Sequence, residues 1–208
     1  MDEQTLYQCL IAFQKLLDTK YHIVLGRSGK SVSFDLTFTE YDCHHLMGIH
    51  YLLDRPDRRS RARIFDELVS SKEYREHIAS SDFWTDKVVD RVSCTTILEQ
   101  LIDDNRSIFR YNPKRANFHS QIKAEYLLAN SQVMISVPDL DSAAGATLRD
   151  VYLFLDKRSD SDERYCKSIF PRTNHDYESA QAVWTLLYKE KIVKGVSTVL
   201  YEHKGYTP

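Results

Sequence analysis

No CxxC pair occurs in the chain: Cys9, Cys43, Cys94 and Cys166 are its four cysteines, and they lie far apart. That spacing offers neither a zinc ribbon nor a dithiol redox motif, so reduced thiols are expected. Long apolar runs are missing too, and the start Met1-Asp2-Glu3-Gln4 is acidic and polar where a signal peptide is basic and then apolar. A cytoplasmic protein without membrane association is expected. The chain also lacks an excess of either charge, with 28 Lys and Arg against 30 Asp and Glu. The whole-molecule field therefore gives no general attraction to nucleic acid, and any such binding must be local. There is no GxGxxG, no GxxxxGK[ST] and no GxSxG, which argues against dinucleotide, P-loop and α/β-hydrolase chemistry. His44, His45 and His50 do not reproduce HExxH and the other histidines are scattered, so neither a metal nor another cofactor is expected.

Glycine and proline are scarce, at 6 and 5 residues, while 42% of the chain is hydrophobic and 12% aromatic. A chain of this make-up buries enough apolar surface to offset its entropy, which excludes disorder. Leu6, Leu10, Phe13 and Leu17 recur at helical spacing and predict an amphipathic first helix closed by Asp18-Thr19. Residues 21–25 and 31–38 flank Arg27-Ser28-Gly29-Lys30 and predict a hairpin with Gly29 in the turn. Thr39 with Asp42 three residues later makes a near capping box for a helix running to about Leu53. Further helical segments carry Ile64, Leu68 and Val69, and then residues 87–102. From Ser107 onward the runs are strand-like, at 108–111, 122–128, 133–137, 151–155, 165–170, 183–188 and 196–201. Polar turns such as Leu140-Asp141-Ser142-Ala143-Ala144-Gly145 separate several of them. Helices first and strands afterwards predict an α+β fold, with N-terminal helices packed on a mainly antiparallel C-terminal β-sheet. Residues 1–208 are read as one domain with a helical insert at about 58–104.

On a helical wheel Cys43, Leu46, Ile49, His50 and Leu53 form one stripe, with His45 on its flank and His44 toward the opposite face. Neighbouring residues of a helix stand about 100° apart, so the doublet does not point into one site. His45 borders the buried side and is the better held of the two. The basic run Arg55-Pro56-Asp57-Arg58-Arg59-Ser60-Arg61-Ala62-Arg63 has two readings: a phosphate-binding patch, or a solvated helix start whose arginines pair with Asp57, Asp66 and Glu67. Lys123 and Tyr126 lie on one strand-like run and Tyr165, Lys167 and Ser168 on another, where alternation puts Tyr165 and Lys167 on one face and Ser168 on the other. Such groups meet the needs of metal-independent RNA cleavage: a base for the 2′-hydroxyl proton, an acid for the leaving oxygen, and donors for the pentacoordinate phosphate.

The run Phe34-Asp35-Leu36-Thr37-Phe38-Thr39 leading into His44-His45-Leu46-Met47-Gly48-Ile49 resembles the phage-associated branch of the barnase, EndoU, colicin E5/D and RelE-like (BECR) nuclease superfamily. Ile122-Lys123-Ala124-Glu125-Tyr126-Leu127-Leu128, Tyr152-Leu153-Phe154-Leu155, Tyr165-Cys166-Lys167-Ser168-Ile169-Phe170-Pro171 and Thr185-Leu186-Leu187-Tyr188-Lys189-Glu190-Lys191-Ile192 are similar in type and order. The likeness spans roughly residues 21–192, and its most specific piece is His45-Leu46-Met47-Gly48. It implies helices on one face of an antiparallel sheet and metal-independent cleavage of RNA. Under it His45 and Gly48 carry over first, and Lys123, Tyr165, Lys167 and Ser168 follow as catalytic candidates. His44, Arg58, Arg59, Arg61, Tyr126 and Arg172 are candidate substrate-binding groups. The rival expectation is a catalytically inactive module that binds an antitoxin, an immunity protein or a host defence protein, which the balanced charge and the long helical insert favour.

Overall fold

A computed structural model describes residues 3–137 and 145–207. The first helix, α1 (Glu3–Leu16), buries Leu6, Cys9, Leu10, Phe13 and Leu16, a three-and-four spacing that makes one apolar stripe. Strands β1 (Thr19–Arg27) and β2 (Lys30–Thr37) pair antiparallel from Lys20↔Thr37 to Arg27↔Lys30. Ser28 and Gly29 join them with φ of 50° and 76°. Two left-handed residues in a two-residue loop match the twist of the flanking strands, which is why a glycine sits there.

Helix α2 (Glu40–Leu46) follows, then a 3₁₀ turn (Ile49–Tyr51) and helices α3 (Arg61–Ser70), α4 (Lys72–Ala79), α5 (Trp84–Lys87), α6 (Val89–Thr96) and α7 (Leu98–Asp104). Two expectations are corrected in this region. The helix predicted to reach Leu53 ends at Leu46, and Leu53 is 74% exposed instead of completing a buried stripe. The single helix predicted over 87–102 is broken into α5, α6 and α7, which turns successive apolar groups toward different neighbours.

The remaining strands are β3 (Ile108–Arg110), β4 (Tyr126–Val137), β5 (Gly145–Lys157), β6 (Arg164–Pro171), β7 (Ala182–Val193) and β8 (Val196–Glu202). Residues 133–137 are not a separate strand: they continue β4 across a bulge, with Gln132 at φ 56°. Residues 122–125 precede β4 and belong to no strand, and 140–144 of the expected polar turn lie outside the described residues.

All eight strands form one sheet in the order β1-β2-β6-β5-β4-β3-β7-β8, and β7 also pairs with β1, closing a barrel. The α+β class stands, but the N-terminal hairpin is part of the same sheet, so helices and strands do not divide between the two ends of the chain. The seam between β2 and β6 is a single parallel pair, Leu36↔Arg164. One core cluster joins Leu6, Leu10 and Phe13 of α1, Cys43 and Leu46 of α2, Val92 of α6 and Leu153, Cys166 and Ile169 of the sheet. A second, mostly aromatic cluster of Tyr111, Leu127, Ala129, Tyr152 and Phe154 uses the alternate residues of β4 and β5, so these strands are covered on both faces. Buried Lys189 on β7 donates to the carbonyl oxygens of Ile102 (2.5 Å) and Asn105 (2.8 Å), satisfying backbone acceptors around the end of α7. Among the described residues no helix is long and apolar enough to cross a membrane.

Candidate active site

Helix α2 is fixed at both ends. At its start the Thr39 N–H and hydroxyl donate to Asp42 Oδ2 at 2.8 and 3.0 Å. Buried Asp42 also accepts from Arg158 Nη2 at 2.7 Å and Nη1 at 3.3 Å, while Nη2 reaches the Thr37 carbonyl at 3.0 Å. The carboxylate thus serves the helix dipole and ties α2 to the β5–β6 connection. At its end stands Gly48 with φ +76°. A Cβ there would lie 2.7 Å from Arg91 Cδ and 3.2 Å from the Lys87 carbonyl oxygen. Glycine is required for the backbone turn and for the passage of the Arg91 stem. The turn also folds His50 back, so that its ring stacks on His45 at 4.5 Å and 13° and places Tyr51 next to it.

An open cleft of about 670 Å³ lies where α2, α6, β6 and residues 118–123 meet, with His45, Arg91, Lys123, Lys167 and Ser168 on its walls. Lys167 and Ser168 reach it together because of a bulge. Leu155 pairs with Cys166 and Phe154 with Ser168, leaving Lys167 as the extra residue and breaking the alternation expected of the strand. Cys166 and Ile169 face the core. Arg91 Nη1 donates to Ser168 Oγ at 3.1 Å and to the Ile169 carbonyl at 3.4 Å, and its guanidinium lies over the Tyr51 and Phe170 rings at 5.2 and 5.6 Å. Among the described residues no carboxylate pairs with Arg91, whose burial lowers its pKa. Lys167, by contrast, is ion-paired with Asp156.

Burial lowers the pKa of His45, and the positive charges of Arg61, Arg91 and Lys167 lower it further against the opposing pull of Asp42. Its imidazole is therefore neutral at pH 7, the form that accepts a proton. Burial pushes His44 and His50 down to about 4, again with neighbouring cations helping. Among the described residues no group of three or more His, Cys, Asp or Glu side chains is arranged to hold a metal ion; these imidazoles lie side by side or in stacks.

The other sequence-derived candidates lie elsewhere. Tyr165 and Arg61 line a second recess with Asp42 and Arg158, and the Arg158 guanidinium stands 5.3 Å from the Tyr165 ring centre. Tyr165 keeps the face it was expected to share with Lys167, whose ammonium pairs with Asp156, the cross-strand partner of Tyr165, but its ring lines this second recess and not the cleft. Tyr126 is 2% exposed and stacked on Phe34 at 4.9 Å, its face turned into the core. Arg172 is held by Asp150, Asp176 and Glu178. Arg59 pairs with Asp57 at 2.6 Å and Glu67 at 3.0 Å, as in the solvated-helix reading, and Arg58 is exposed beside it. His44 stands 6.4 Å from His50 but does not line the cleft.

Sequence reasoning missed Arg91, and also His119, His175 and Tyr177 on the same walls. For Arg91 a signal existed: it follows Val88 by three residues and precedes Val92 and Thr95, placing a guanidinium inside an apolar helical stripe where arginine is rare. No curated protein and no solved structure matches the chain. A family model does, over residues 5–204. With its His45-Leu46-Met47-Gly48 turn opening onto the cleft, the chain belongs to PBECR4, the phage-Barnase-EndoU-ColicinE5/D-RelE like nuclease4 family.

Proposed function

We propose that the cleft is the active site of a metal-independent ribonuclease. The observation that carries this is Arg91, a half-buried guanidinium without a carboxylate partner among the described residues, on the same cleft as the neutral imidazole of His45. A desolvated cation of this kind attracts a phosphate, and it gains most when charge builds on the phosphoryl oxygens. His45 takes the proton of the ribose 2′-hydroxyl, whose oxygen attacks the adjacent phosphorus. Arg91 and Lys123 stabilise the pentacoordinate phosphate. Ser168 accepts from Arg91 and so keeps its own O–H to donate to a phosphoryl oxygen. The P–O5′ bond then breaks and the leaving oxygen takes a proton from the Lys167 ammonium, giving a 2′,3′-cyclic phosphate and a 5′-hydroxyl. DNA lacks the attacking hydroxyl and is not a substrate.

The test is incubation of the purified chain with RNA in the presence of a chelator. Cleavage persists, His45→Ala slows it by about 10²- to 10⁴-fold, and Arg91→Ala slows it by about 10²- to 10³-fold. Cleavage that disappears with the chelator sinks the metal-independent chemistry, and undiminished cleavage by His45→Ala sinks the assigned base.

A further inference from the structure

Residues 118–123 form one wall of the cleft without regular secondary structure, and their exposure alternates. The even positions are anchored. Phe118 stacks on His175 at 4.3 Å and meets Tyr177 edge-on at 4.8 Å, the Ser120 hydroxyl bonds that of Tyr111 at 2.7 Å, and Ile122 packs on the aromatic cluster. The odd positions, His119, Gln121 and Lys123, are exposed along the cleft. Among the described residues no strand pairs with this stretch and no carboxylate pairs with Lys123.

Alternation of this kind is that of extended chain, in which like-facing residues recur every ~6.8 Å. Successive phosphates of an extended single strand are spaced similarly. Hydrogen-bonding side chains at this repeat, with an exposed imidazole ring at one end, match the two handles of an unpaired strand: a charged backbone and bases with free faces.

We propose that residues 118–123 are a docking track for an extended, unpaired strand of RNA, leading its backbone past Arg91 and His45. Lys123 and His119 hold phosphates, Gln121 meets the sugar or base edge between them, and the outer face of His175 carries an unstacked base. A cleft of about 670 Å³ has the size of a pocket for one small ligand. It holds one or two splayed nucleotides. A duplex keeps its bases stacked inside and cannot use the ring. The proposal rests on the nuclease reading for its substrate, but its test reads binding and needs no cleavage.

The probe is a fluorescein-labelled single-stranded DNA hexamer, uncleavable for want of 2′-hydroxyls, compared by anisotropy with a hairpin duplex of the same base composition. The hexamer is expected to bind at least about tenfold more tightly than the hairpin. Lys123→Ala is expected to weaken hexamer binding and to reduce the slope of log affinity against log salt by roughly 0.7, one phosphate contact on a single strand. His175→Ala is expected to weaken it by about fivefold or more, and Lys72→Glu on α4 leaves it unchanged. Absence of hexamer binding, equal affinity for the hairpin, or wild-type affinity in both Lys123→Ala and His175→Ala overturns the track. Track-dependent binding without cleavage of RNA removes the nuclease reading alone, whereas cleavage of RNA with unaffected binding in the variants removes the track alone.

Discussion

Replacing Gly48 by alanine puts two separate demands on one position, and a second substitution separates them. The left-handed backbone costs a residue with a Cβ about 1–2 kcal/mol. The new methyl would also stand 2.7 Å from Arg91 Cδ, inside any real contact, so the Arg91 stem must move. Its movement breaks the 3.1 Å bond to Ser168 and leaves the half-buried guanidinium without that acceptor, a loss of about 1.5–3 kcal/mol for a charged hydrogen bond. The total is about 2.5–5 kcal/mol, and the melting temperature falls by about 10 °C in a chain of this size. In an Arg91→Ala background the 2.7 Å contact is gone and only the 3.2 Å approaches to the Lys87 carbonyl oxygen and the Tyr51 ring remain, so the same glycine substitution costs about 1.5–3 kcal/mol less. Urea unfolding of the four proteins measures the difference as a coupling of about 2 kcal/mol. Equal costs in the two backgrounds, within about 0.5 kcal/mol, would refute the claim that Gly48 makes room for Arg91.

Arg91→Met keeps a long flexible side chain between Tyr51 and Phe170 while removing a partly desolvated charge, and is expected to stabilise the fold by about 1 kcal/mol while slowing cleavage by about 10²- to 10³-fold. Inorganic phosphate raises the melting temperature of the wild type and not of Arg91→Met; a destabilised variant, or equal protection of both, contradicts the anion site. His44 and His50 are pushed to about 4 in the fold against about 6.5 unfolded, so the unfolded chain binds their protons first and stability falls as pH drops from about 6.5 to about 4. Allowing for partial exposure, each ring contributes roughly 1.5 kcal/mol across that window, and the double variant His44→Gln, His50→Gln is expected to flatten the pH dependence of urea unfolding there.

The features legible in the sequence are those decided within a few residues. The Ser28-Gly29 turn needs two left-handed residues between strands, the Thr39–Asp42 cap needs a carboxylate three residues on, and α1 needs only its own stripe. What was not legible depends on distant partners or on a single inserted residue. Gly48 sits five residues before the expected end at Leu53, and a lone glycine inside a helical pattern is usually tolerated; the packing against Arg91, 43 positions further along, is what the local pattern does not show. The bulge at Lys167 depends on how β5 lies against β6, and one extra residue there reverses which side chains share the cleft. Closure of β7 on β1 joins segments more than 150 residues apart, and nothing in either strand's alternation names the other.

Arg91 and Lys167 show how the same stretch of fold treats two cations differently. Lys167 is paired with Asp156, and its charge is balanced whether or not the cleft is filled. Arg91 is likewise half-buried yet receives only a hydroxyl, a carbonyl and two ring faces, none of which cancels a unit charge. A chain selected for stability alone would place methionine or leucine between Tyr51 and Phe170. It keeps arginine, removes the Cβ of residue 48 to admit it, and adds that charge to the burial and the Arg61 charge that already hold the neighbouring imidazole neutral. The three features become mutually consistent once an anion completes the site: it balances Arg91, relieves the field that depresses His45, and leaves beside the phosphate an imidazole whose affinity for a proton has just increased.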